Sequence, residues 1–141
     1  MGAQLITSTT IGLIGEHIAA AAILSHGLRV GMAQQDKVDL IAWDDNRFYR
    51  VQVKAAQINT RPGRQPSYHH QFGAGSKSKV LPTLNDYDII ALVGIHHRRC
   101  IFYPTEQIQQ YTKRTLAKTY ESETIERDSL AKALEIIEAR I

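Results

Sequence analysis

The feature that most narrows the fold is a run from about Ser8 to His26 that is apolar on nearly every side of the helix it predicts. Ser8, Thr9 and Thr10 offer N-cap oxygens, the interior is rich in Ile, Leu and Ala, and Gly27 stands where a left-handed C-cap is expected. A helix without a polar face is normally buried, so the fold has to cover it. The one carboxylate inside it, Glu16, then has to be paired or to meet a cation. The nearly apolar stretch Ile18 to Leu24 is far short of the ~18–20 residues that span a bilayer, and no basic-then-apolar signal opens the chain. With Cys100 as the lone cysteine, the expectation is a soluble, cytoplasmic protein with no membrane partner and no disulfide.

After that helix the periodicity changes. Leu28 to Met32, Val38 to Trp43 and Phe48 to Ala55 read as short strands, and Asp44-Asp-Asn-Arg47 reads as a hairpin turn between the last two. With Asp45 and Asn46 as a two-residue turn at positive φ, cross-strand partners have numbers that sum to 91. Asp39 then faces Gln52, and Lys54, two residues on, projects to the same side.

From Asn59 to Lys79 the pattern dissolves into a long loop, expected to be mobile, with the cations Arg61, Arg64, Lys77 and Lys79. Its aromatic residues Tyr68 and Phe72 suit local packing or stacking on bases. Tyr87 to Ile95 reads as a central strand, Arg98-Arg99 as a turn, Cys100 to Tyr103 as an edge strand and Pro104-Thr105 as the start of a short helix. A C-terminal helix at about 128–140 carries Leu130, Leu134 and Ile137 on one face. With 141 residues and 43% hydrophobic content, one compact α/β domain over 1–141 is expected. His69-His70 and His96-His97 are adjacent pairs that point apart on an extended chain, which suits neither to chelate one metal.

The net charge of +3 conceals a strong division. Residues 47–118 hold 12 Lys and Arg against 3 Asp and Glu, residues 1–46 hold 2 against 5, and residues 119–141 hold 3 against 6. A cationic centre between acidic ends suits a polyanion, although a charge block also serves as a solvated surface. No Gly-rich nucleotide loop, Ser/His/Asp triad or Cys-based zinc site is present.

Glu16 on a helix, Asp39 on one strand and Gln52-x-Lys54 on the next resemble the PD-(D/E)XK nuclease superfamily. The pattern is most similar to the group I intron-encoded homing endonucleases of that superfamily, which also use Gln before the x-Lys, and next to archaeal-type Holliday junction resolvases. The resemblance runs from about Gly12 to Thr105. It implies a restriction-endonuclease-like mixed β-sheet flanked by helices and a Mg²⁺-dependent DNA endonuclease, with Mn²⁺ as a substitute ion. Hydrolysis of a phosphodiester requires a hard cation to neutralise a non-bridging oxygen and acidify water, and oxygen ligands suit Mg²⁺. Asp39 is the expected direct ligand, Gln52 offers a neutral amide oxygen, Glu16 restores the charge Gln52 lacks, and the Val53 carbonyl is a further ligand implied by the family pattern. Lys54 would orient or help deprotonate the water and stabilise the phosphorane charge.

Arg61, Arg64, Lys77, Lys79, Arg98 and Arg99 are the expected phosphate contacts. Cutting both strands needs two active sites, which implies a homo-oligomer, dimer or tetramer, and the C-terminal apolar stripe offers a pairing surface. Two departures stand out: Val38 precedes Asp39 where Pro is common, and Gln52 replaces the usual carboxylate. The alternatives are a junction resolvase-like nuclease and a catalytically degenerate DNA-binding module.

Overall fold

The computed structural model describes residues 6–72 and 80–140. Helix α1 (Ser8–Ser25) leads into strands β1 (Arg29–Met32), β2 (Leu40–Trp43) and β3 (Phe48–Ala56), then β4 (Ser67–Gln71), β5 (Ile89–Gly94), β6 (Arg99–Pro104), β7 (Thr112–Leu116) and helix α2 (Ile125–Glu138). Short 3-10 turns occupy Thr105–Gln107 and Ala117–Glu121. Five strands make one sheet in the order β1-β2-β3-β5-β6, and β4 pairs with β7 in a separate ribbon. β3 and β5 run parallel while the other neighbours are antiparallel, which is the mixed sheet with flanking helices expected from the sequence.

Side-chain alternation sorts the two faces of the sheet. Val51 and Val53 of β3, Ala91 and Val93 of β5 and Phe102 of β6 join Ala19 and Ile23 of α1 and Leu130 and Ile137 of α2 in the main core. Both helices therefore cover one face. Ile90 and Leu92 point the other way, toward Phe72, Tyr87 and Ile108, and the ribbon closes that side through Tyr68 against Ile101 and Tyr120. β6 is an edge strand, and α2 covers its outward N–H groups: Cys100 N donates to Glu126 Oε2 (3.1 Å) and Phe102 N to Ser129 Oγ (3.0 Å).

The hairpin register is the one the turn length predicts, since Leu40 pairs with Val51 and Trp43 with Phe48. Its chemistry is different. Among the described residues the non-glycine positions with positive φ are Gln34 and Arg98, so neither Asp45 nor Asn46 adopts the expected left-handed conformation. The Asp44 carboxylate makes the turn instead, accepting from Asn46 N (2.8 Å) and Arg47 N (2.9 Å).

Other expectations change too. Thr7 is the N-cap of α1, its Oγ1 accepting from Thr10 N at 3.2 Å, in place of Ser8, Thr9 or Thr10. α1 is not enclosed: Gly15, Ala19, Ala22 and Ile23 are its buried residues, whereas Leu13 is 47% and Leu24 56% exposed. By length and composition alone α1 would suffice to cross a membrane, yet here it lies on the sheet with Gly15 against Ala55. α2 starts at Ile125, ahead of the expected Asp128, and its apolar stripe is spent in the core, where Leu130, Ala133 and Ile137 are buried, so it offers no pairing surface. The stretch 59–79 is not all loop, because β4 forms inside it and pairs with β7, a strand absent from the sequence reading. Tyr68 and Phe72 are buried by that pairing and are unavailable to stack on bases.

Candidate active site

The site is built on β3, whose backbone groups alternate between its two neighbours as its side chains alternate between faces. On the β5 side Arg50 O accepts from Asp88 N (2.9 Å) and Ala56 O from Ile95 N (3.1 Å). On the β2 side Val51 O accepts from Asp39 N (2.9 Å). Val53 shares the parity of Val51, so its N–H and C=O turn to the β2 side just beyond Leu40–Val51, where the β2–β3 ladder ends. There the Asp39 side chain takes the place of a strand, its Oδ2 accepting from Val53 N at 2.8 Å. One edge thus presents the Asp39 carboxylate and the Val53 carbonyl together.

Gln52 and Lys54 have the other parity and project from the face opposite α1. They line a cleft of about 400 Å³ with Asp36, Lys37, Phe72 and Tyr87. The Gln52 carboxamide meets two acceptors, Lys37 O at 2.5 Å and Asp39 Oδ2 at 3.3 Å, so its nitrogen is the end that faces them when no cation lies between. Lys37 is itself held in place by an ion pair with Asp86 at 3.1 Å.

Other charged groups gather here outside any ion pair among the described residues. Burial raises the Asp39 pKa above the ordinary carboxylate range, against the opposing effects of the Val53 N–H bond and the Lys54 charge. Glu16, from the middle of α1, is raised as well, first by burial and then by the negative charge of Asp39, with His17 opposing. Among the described residues the ion pairs involve neither Glu16, Asp39 nor Lys54, so the simple alternative of a Glu16–Lys54 salt bridge is not what the fold contains. Also among the described residues, no three His, Cys, Asp or Glu side chains are grouped to hold a metal. A cation at this edge would need the neutral oxygens of Gln52 or Val53 beside the carboxylates, which suits a hard, oxygen-seeking ion.

The expected phosphate contacts are scattered by the fold. Arg61 and Arg64 are exposed and share one cleft. Arg98 is exposed at the β5–β6 turn, whereas Arg99 donates from Nη1 to Tyr120 O (3.0 Å), a bond that fastens β6 to the second 3-10 turn. Lys77 and Lys79 lie outside the described residues. Arg114, which sequence reasoning did not single out, joins Arg61 and Arg64 because β7 sets it opposite His69 of β4. Only the cross-strand register, a non-local fact, brings it there.

The fold is similar to that of a bacterial homing endonuclease, I-Ssp6803I, with a TM-score of 0.65 at 14% sequence identity over 83% of each chain, a likeness of fold. No curated protein matches the chain. A family model described as PD-(D/E)XK endonuclease matches residues 6–135, a span that contains Glu16, Asp39, Gln52 and Lys54, and by that match the chain belongs to the PD-(D/E)XK endonuclease family.

Proposed function

We propose that the chain is a divalent-metal-dependent DNA endonuclease, homing-endonuclease-like, with Mg²⁺ as its ion and Mn²⁺ as a substitute. The observation that carries this reading is the placing of Asp39 at the end of the β2–β3 ladder with its carboxylate on Val53 N–H, near enough to Glu16 to raise the proton affinity of that second carboxylate, with neither group in an ion pair among the described residues. Asp39, Gln52 through its amide oxygen, the Val53 carbonyl and Glu16 are the groups that would hold the ion. Bound there, Mg²⁺ supplies neutralisation of a non-bridging phosphate oxygen and a lowered pKa for water.

The chain's own residues do the rest. The Val53 N–H fixes one oxygen of Asp39, and with it the position of the carboxylate at the end of the β2–β3 ladder. Lys54 sets a positive charge in the cleft beside Gln52, where it stabilises charge developing on the phosphate. The cleft is roomy enough at about 400 Å³ for a sugar-phosphate unit. Arg61, Arg64 and Arg98 are exposed cations that contact DNA phosphates away from the reacting bond. A homo-oligomer, dimer or tetramer, would bring two such sites to the two strands. The surface proposed for pairing is now the outer face of α1 around Leu13 and Leu24, since α2 has none to spare.

A second reading, a DNA-binding relative that no longer cleaves, draws on one observation: the Gln52 amide nitrogen can satisfy Asp39 and Lys37 O without any cation. Plasmid cleavage separates the two. Nicked and linear products in Mg²⁺ that disappear with EDTA support the nuclease, and intact plasmid that is nonetheless retarded on a gel supports the binding module.

A further inference from the structure

We propose that the cleft between the Arg61–Arg64 turn and β7 is a built binding site for a single phosphodiester group, separate from the site of cleavage and completed by Arg114. That its natural ligand is a DNA phosphate rests on the endonuclease reading. That it takes an oxyanion does not.

The turn is encoded locally. Arg64 N donates to Arg61 O at 3.1 Å, Pro62 occupies the second position and Gly63 the third with φ of 77°, which is the type II pattern. In such a turn the first and fourth residues lie close together, so Arg61 and Arg64 are neighbours in space. The ends of the loop are pinned, because Asn59 N donates to Ser67 O (2.7 Å) and Ser67 N to Asn59 O (3.1 Å). The third arginine arrives from across the ribbon, where Arg114 pairs with His69 and its Nη2 approaches Gln65 O at 3.5 Å.

The cleft is open to solvent and of about 60 Å³, lined by the three arginines, His69, Ser67 and Asn59 among others, with no carboxylate in the lining. None of the three arginines is in an ion pair among the described residues, so three exposed guanidinium charges share one cleft with only solvent to screen their repulsion. An anion with several acceptor oxygens relieves that repulsion, and forked N–H donors match phosphate oxygens in pairs. The space is far smaller than the cleft of about 400 Å³ beside Gln52 and Lys54, which suits a single small anionic group. This cleft and the one beside Gln52 and Lys54 share no lining residue.

The test is anisotropy of a labelled duplex of about 30 base pairs in EDTA, titrated with protein at several KCl concentrations between roughly 50 and 200 mM. Each neutralised phosphate contributes about −0.9 to the slope of log affinity against log salt. Arg114→Ala is expected to weaken binding about tenfold and to flatten the slope by about one unit. The triple variant Arg61→Ala, Arg64→Ala, Arg114→Ala is expected to flatten it by about the same one unit, because the three side chains share one phosphate. A loss of about three units in the triple variant would overturn the single-phosphate site, as would wild-type affinity and slope in Arg114→Ala. Arg127→Ala, which removes an exposed arginine already paired with Asp128, is the control and should change neither.

Inorganic phosphate separates the sources of the ligand. It should shift the His69 imidazole resonances in the wild-type protein and not in Arg114→Ala, at concentrations far above those at which the duplex binds. A phosphate response with an unaltered duplex slope would assign the cleft to a free anion and overturn its assignment to DNA. Unimpaired cleavage by Asp39→Asn would sink the nuclease site while leaving these binding results intact, so the two failures can be told apart.

Discussion

The edge around Asp39 and the cleft around Arg114 are opposites in charge and alike in being unbalanced. The cluster around Asp88 is balanced by contrast: Asp88 sits between Arg50 (3.3 Å) and Arg140 (3.2 Å), and Arg140 also reaches Glu106. Burial pushes the Asp88 carboxyl up, but the hydrogen bonds from Arg50 and the charges of Arg50 and Arg140 outweigh it and hold the group below the ordinary range. Asp39, also partly buried, is raised. A carboxylate with arginine partners belongs to the architecture, whereas on the proposed function Asp39, partly buried and outside any ion pair among the described residues, is the one that would take a cation from outside. By the same logic three converging arginines await an anion. On the proposed function, the sign of what is missing separates the group that would react from the group that would grip.

The sharpest way to break that contrast is Asp39→Asn. It should lower Mg²⁺-dependent cleavage on the order of 10³-fold, several kcal/mol of transition-state stabilisation, while duplex affinity in EDTA stays within about a factor of two. Cleavage near the wild-type rate would end the division of labour. A smaller effect is expected at Gln52. Gln52→Glu places a third oxygen anion against Lys37 O and Asp39 Oδ2, so it should bind Mg²⁺ more tightly, by about tenfold, with altered or reduced turnover, because added negative charge raises the pKa of water at the site. Gln52→Ala should raise the Mg²⁺ concentration for half-maximal cleavage, and equal metal dependence for Glu, Gln and Ala would exclude position 52 from the coordination sphere.

The mildest effect is on stability without metal. A carboxyl whose folded pKa is raised favours the folded state below its unfolded pKa, and that advantage is lost as pH rises through the folded value. Asp39 and Glu16 are of this kind, so metal-free Asp39→Asn should melt a few degrees above wild type at pH 7.5, with the gap closing as pH falls through the raised pKa of Asp39. Asp88 has the opposite sign: its contribution is present above the unfolded pKa and is lost as pH falls through its lowered folded value. Melting curves of the wild type and of Asp39→Asn from pH 4 to 8 check both, and a gap that widens in acid would refute the assignment for Asp39.

What could be read from the chain follows the range of the interaction. Leu40 opposite Val51 was legible because four residues, Asp44 to Arg47, set the register, even though Asp44 rather than Asp45 and Asn46 makes the turn. That register brings Asp39, Gln52 and Lys54 to one neighbourhood without any long-range knowledge. β4 and β7 were illegible for the converse reason: Ser67-Tyr-His-His-Gln71 has no clean apolar alternation, and its partner lies beyond two strands of the main sheet. The burial of α2 and the exposure of α1 escaped for a related reason. A stripe of Leu130, Leu134 and Ile137 shows that something is covered, and only the packing shows that β6 and its neighbours do the covering.

Gly15 has a consequence beyond packing. A Cβ there would stand 2.6 Å from the Cβ of Ala55, so the helix touches the sheet at this point with no slack. Glu16 is the next residue, and its height above β3 is therefore set by the bare Gly15 backbone resting on the small Ala55 side chain. One added methyl acts as a shim under the helix: it lifts a carboxylate whose chemistry it never touches. A chain carrying that shim keeps every charged group of both clefts, and a survey of its reactive residues would pass it as intact.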